Sequence, residues 1–166
     1  SGIGTISHLT TELFASMAGV KLNHVPYKGT QQSIPDIMSG QVAILFDNVM
    51  TSQPNIKAGK VKGLAISSPS RSALVPDLPT VAESGLPGFQ SLTWFGLLGP
   101  ASTPKAVVDR VNAEMNKALA LPEIQARFAQ MGFEAAGGSA ADFAQVIQRD
   151  AQKWSKVIKD AGVKAE

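Results

Sequence analysis

The chain opens on Ser-Gly-Ile-Gly-Thr-Ile-Ser-His, its densest group of residues able to do chemistry. Gly2 and Gly4 permit tight geometry and close approach of a ligand to the backbone. Thr5 and Ser7 supply hydroxyls. The amides of Ile6, Ser7 and His8 open the helix that the next residues predict. Amides left open at the positive end of a helix make a site for an anion. The same residues also fit a plain capped turn, with Thr5 or Ser7 as the cap and the glycines serving only to bend the chain. Two phosphate-binding patterns are excluded. No Gly-Lys-Ser/Thr follows, as a P-loop requires, and the third glycine and later acid of a dinucleotide fingerprint have no clear match.

Two further stretches place polar groups where predicted strands end. In His-Val-Pro-Tyr-Lys-Gly, the Tyr27 phenol and Lys28 ammonium can orient a polar ligand, while Gly29 and Thr30 open another helix. A surface turn with a solvated Lys28 fits equally. In Phe-Asp-Asn, Asp47 can receive an amine or hydroxyl of a ligand, or it can cap the next helix. His24 lies inside a predicted strand and reads as structural. For catalysis the inventory is poor. Ser7 and His8 are adjacent and point to different sides of a helix, so they form no nucleophile–base pair. No spaced metal-ligand cluster appears, and no cofactor is implied.

The elements that must carry these loops alternate. Residues 7–18 read as a helix with Leu9, Leu13 and Met17 on one face and Gly19 as its stop. Segments 22–27, 41–47 and 61–67 read as strands, the second apolar throughout, as in a parallel sheet covered on both faces. Helices are expected at 30–39, where Pro35 moves the helical part toward Ser33, and at 49–58, where Pro54 bends or delays it. This order predicts a parallel, right-handed α/β sheet. A Pro-, Ser- and Gly-rich connection follows, with one short helix at 80–84. Segment 91–100 reads as a last strand. Beyond it the chain is helical. Thr103 caps a helix with Pro104 at its first position, whose buried face is Val107, Val108, Val111 and Met115. A second helix spans 122–131. Ser139 starts the last helix, with Asp142 placed for a reciprocal cap and an apolar stripe from Phe143 to Ile158. No internal repeat is evident.

Composition narrows the class. A hydrophobic share of 44% against 17% charged residues supports a packed core and argues against disorder. With 15 basic and 13 acidic residues the charge is nearly balanced. Lys153, Lys156 and Lys159 read as a solvated helix face rather than a nucleic-acid surface. The absence of cysteine excludes thiolate metal sites, disulfides and cysteine nucleophiles.

Taken in order, the stretches SGIGTISHL, HVPYKG, GQVAILFDN, IKAGKVKGLAIS, LPTVAESGLPGF, WFGLLGPASTP and GGSAADF resemble the tripartite tricarboxylate transporter receptor family, the Bug-type periplasmic solute-binding proteins. The resemblance covers essentially the whole chain. It implies an α/β, type II periplasmic-binding-protein fold, with two lobes about a cleft. It also implies a small organic acid as ligand: a dicarboxylate, tricarboxylate, acidic amino acid or aromatic acid, delivered to a membrane permease. Gly4, Thr5, Ser7 and His8 match the carboxylate-gripping loop, Tyr27 and Gly29 its neighbour, and Asp47 a cleft-lining acid. Family members carry another half-chain before this point. The expectation is therefore that residues 1–96 form the second lobe, and that 97–166 form the mainly helical returning segment of a first lobe that is largely missing. Such a chain would bind weakly alone or pair with a missing half or a swapped copy. The alternatives are a ligand sensor for a membrane receptor, and an enzyme using the Gly-rich loop as an oxyanion site.

Overall fold

Helices dominate the computed structural model, which describes residues 2–164. In chain order they are α1 (Ile6–Ala18), α2 (Thr30–Met38), α3 (Val49–Lys57), α4 (Lys105–Leu119), α5 (Pro122–Gln130) and α6 (Ala140–Ala161). The chain divides into two compact units, 1–93 with 154–166, and 94–153.

Each helix ends for a local reason. At α1 the chain turns on Gly19, at φ +65°, where a side chain would be strained. The Val20 amide then reaches back to the Ala15 carbonyl at 3.0 Å, closing the last turn. The start of α6 is a reciprocal cap, as its sequence predicts. Asp142 N–H donates to Ser139 Oγ at 3.1 Å, and Ser139 N–H donates to Asp142 Oδ2 at 2.9 Å. The Ser139 hydroxyl, which donates to Asp142 Oδ2 at 2.7 Å, and then the Ser139 amide hold the Asp142 carboxyl below its usual range.

Several expectations are corrected. None of the segments 22–27, 41–47, 61–67 and 91–100 forms a strand among the described residues; the one pairing there is a parallel bridge between Ile66 and Thr80. An apolar run specifies burial on both faces but not the neighbour that must accept its ladder bonds. Helix α2 starts at Thr30, with Pro35 inside it. Proline at this sixth helical position forfeits the interior bond to the Gln31 carbonyl, and the Ser33 hydroxyl donates to the Thr30 carbonyl at 2.7 Å. In α4, Pro104 occupies the cap position expected for Thr103, whose amide closes a turn onto Pro100 instead. Residues 80–84 form a single turn with its own reciprocal cap between Thr80 and Glu83. The expected buried face of α4 is open in this chain: Val107, Val108, Val111 and Met115 are all exposed.

The structure also shows a repeat. Ser33, Pro35, Ile37, Gly40 and Val42 recur at a constant spacing as Ser52, Pro54, Ile56, Gly59 and Val61. The two copies end alike. Gly40 and Gly59 both adopt positive φ, and Val42 and Val61 donate to the carbonyls of Asp36 and Asn55. Helices α2 and α3 are thus two versions of one helix-and-turn unit.

Phe14, Phe46 and Phe89 pack ring to ring with centroids 5.7–6.2 Å apart, within the first unit. Phe89 is 1% exposed. Beside them, the buried Thr10 and Ser91 hydroxyls share a bond at 2.6 Å. Phe89→Ala should therefore cost about 3–5 kcal/mol in urea unfolding. Leu98→Ala, at a side chain 72% exposed, should stay within about 0.5 kcal/mol of the parent.

Candidate functional site

The turn before α1 is built by its own side chains. Gly4 sits at φ +74°, and its amide donates to His8 Nδ1 at 3.1 Å. Thr5 holds the cap position, yet its hydroxyl donates backward to the Gly2 carbonyl at 2.7 Å rather than capping the helix. The Ser7 hydroxyl donates to the Phe46 carbonyl. Both hydroxyl protons are thereby committed within the chain. The groups left to meet an anion are the amides of Ile6, Ser7 and His8, which α-helical geometry leaves without an intrahelical acceptor.

His8 is buried behind this turn. Accepting at Nδ1 puts its hydrogen on Nε2, which faces Glu12 Oε1 at 3.4 Å. His24 stacks on His8 with ring centroids 3.7 Å apart and planes 6° from parallel. Burial, then the neighbouring His8, push the His24 imidazole below its ordinary value, with the Glu12 carboxylate opposing. The strand expected around His24 does not form; what holds this ring is its stack on His8.

Tyr27 and Gly29 lie just before α2. The Tyr27 hydroxyl donates to Asp36 Oδ2 at 2.6 Å, and this bond raises the phenol's pKa. The Lys28 amide donates to the Gln32 side chain at 3.2 Å, folding residues 28–32 into the helix start. Gly29 has φ 172°, an extended backbone open to any residue.

Asp47 is the most connected of the expected residues. Its Oδ1 accepts from the Thr30 hydroxyl at 2.9 Å; its Oδ2 accepts from Ser52 Oγ at 2.9 Å and from Thr51 Oγ1. Thr30 is the first residue of α2, and Thr51 and Ser52 belong to the first turns of α3. Because Ser7 of α1 is bonded to Phe46, the starts of three helices meet at residues 46–47. The structure brings Ser7 and Asp47 together there and keeps Tyr27 on the α2 side through Asp36. Sequence reasoning named Thr30 only as a helix start, and it missed Thr51, Ser52 and the Phe46 carbonyl. Their signal was a hydroxyl in the first turns of a helix that follows an apolar run. Among the described residues no group of three His, Cys, Asp or Glu side chains could hold a metal ion.

The fold is that of the type II periplasmic binding proteins. An R. palustris protein solved with adipate, Rpa4515, matches with a TM-score of 0.79 and 34% identity over 96% of this chain and 54% of its own. The periplasmic binding protein BugD matches with a TM-score of 0.76 and 34% identity over 100% of this chain and 56% of its own. A protein from the tcbD–tcbE intergenic region of Pseudomonas sp. strain P51 is 40% identical over 159 residues, 95% of this chain and 47% of that protein. The profile of the tripartite tricarboxylate transporter family receptor matches residues 1–163, and the chain belongs to that family. It spans about half the length of these relatives.

Two predictions follow from this geometry. A Cβ on Gly4 would meet nothing within 4 Å, so Gly4→Ala is penalised by its φ alone. It should cost about 1–2 kcal/mol in urea unfolding, with Gly4→Asn, better suited to the left-handed region, costing less. The lowered His24 value means that the unfolded chain takes up the proton first as pH falls. The His24 contribution is therefore complete above about pH 6.5 and declines as pH drops below it toward the folded value. The melting temperature should fall between pH 7.5 and 5.5, and by less in His24→Phe, which keeps a stacking ring and cannot titrate.

Proposed function

We propose that this chain supplies the carboxylate-gripping part of a periplasmic solute-binding protein. That protein captures a small organic acid and delivers it to the membrane permease of a tripartite tricarboxylate-type transporter. The observation that carries this reading is the open start of α1: with the Thr5 and Ser7 hydroxyls bonded elsewhere in the chain, the amides of Ile6, Ser7 and His8 are left to meet an anion, whereas the starts of α2 and α3 are already met by the Asp47 carboxylate. Family membership and the adipate in Rpa4515 support it. No helix of the described residues is long and apolar enough to cross a membrane.

In this reading a solute carboxylate is held by the 4–8 turn, mainly through the amides of Ile6, Ser7 and His8. Gly4 gives close approach and His8 fixes the turn from behind. The Thr5 and Ser7 oxygens, Tyr27 and Gly29 line the rest of the site, and Asp47 stands behind it, bonded to the starts of α2 and α3. Residues 1–96 act as one lobe, and 97–166 are the returning segment of the other. Closure of the lobes about the acid then couples occupancy to recognition by the permease. The protein binds its solute and does not turn it over.

Calorimetry tests this with adipate and its neutral dimethyl ester. Charge-assisted bonds from amides to a carboxylate are worth about 1.5–3 kcal/mol. Adipate should therefore bind at least about tenfold more tightly than the ester. Equal binding of the two, or no binding of either adipate or the longer and shorter dicarboxylates, would contradict the assignment.

A further inference from the structure

The repeat and the hydroxyl bonds around Asp47 carry one step more, which rests on the solute-binding reading. We infer that Asp47 is a positioning residue: its carboxylate staples the two repeat copies together at their helix starts, and it acts on the solute only through them. The first copy contributes Thr30, at the start of α2, to Oδ1 at 2.9 Å. The second contributes Thr51 and Ser52, from α3, to Oδ2, with Ser52 at 2.9 Å. Each carboxylate oxygen therefore serves a different copy. The copies occupy equivalent places, as Gly40 and Gly59, and Val42 and Val61, show. Their relative setting is not fixed by a ladder, because segment 41–47 forms none. The carboxylate supplies the missing tie.

The residues on either side add weight. The Phe46 carbonyl holds Ser7 at the start of α1, so displacing residues 46–47 moves the gripping turn as well. With three hydroxyls already donating to it, the Asp47 carboxylate is turned toward the helices. A ligand amine would have to compete with all three. An asparagine could still tie both copies, its oxygen accepting from one hydroxyl and its Nδ2 donating to another, whereas an alanine can tie neither.

The test uses the whole chain in three forms: Asp47→Ala, the pair Thr51→Val with Ser52→Ala, and all three changes together. Adipate and L-glutamate, two dicarboxylates of which only the second carries an amine, are titrated by calorimetry. Amide hydrogen exchange is followed by NMR without ligand. Asp47→Ala should weaken both acids by the same factor, about tenfold. The hydroxyl pair should cause a similar loss, and the triple variant little more, since one tie is being cut. Exchange should quicken in the first turns of both α2 and α3. A loss confined to glutamate would show that Asp47 touches the solute and would overturn the inference. So would unchanged affinity with a lowered melting temperature. If neither acid binds the parent chain, the solute-binding reading fails by itself, and exchange still decides the staple: quickening in α3 alone would reduce Asp47 to an ordinary helix cap.

Discussion

The bond from Ser7 to the carbonyl of Phe46 is the constraint on which the candidate site depends. Phe46 sends its ring among Phe14 and Phe89 while its carbonyl takes the Ser7 hydroxyl. The next residue, Asp47, turns its carboxylate to α2 and α3. One short segment thus belongs to the apolar cluster, to the gripping turn and to the tie between two helices. Shifting it by one residue would exchange ring and carboxylate. The polar contacts would lose their acceptors at the same time as the cluster lost a ring.

The polar parts of the site are coupled in the same manner. Gly4 is held by His8, His8 is stacked on His24, and Glu12 faces the far side of the His8 ring. The turn is therefore set by a buried imidazole instead of a conventional cap. This frees the amides of Ile6, Ser7 and His8 for an external anion, which a capping side chain would have blocked. Stability and anion binding compete for the same donors, and in this chain the cap has been given up.

Much of this was legible in the sequence. The α1 start and stop, the reciprocal cap of Ser139 and Asp142 and the six helical stretches follow from spacing and capping chemistry, which are local. The ordered motifs carried the family. What escaped was non-local. The apolar run at 41–47 announced burial but not its pairing partner. The hydroxyls of Thr5 and Ser7 looked like donors for a ligand, since nothing in their spacing revealed the Gly2 and Phe46 carbonyls. The repeat was hidden because its shared residues are few and interspersed with unlike ones, and became plain only when Gly40 and Gly59 closed their helices alike.

The most direct measurement is an NMR titration of the chain, labelled with nitrogen-15, with adipate near neutral pH. If the open start of α1 grips a carboxylate, the amides of Ile6, Ser7 and His8 should shift first and furthest, with smaller changes at the starts of α2 and α3. Shifts concentrated in α4 and α5, or a spectrum unmoved by the acid, would contradict the account.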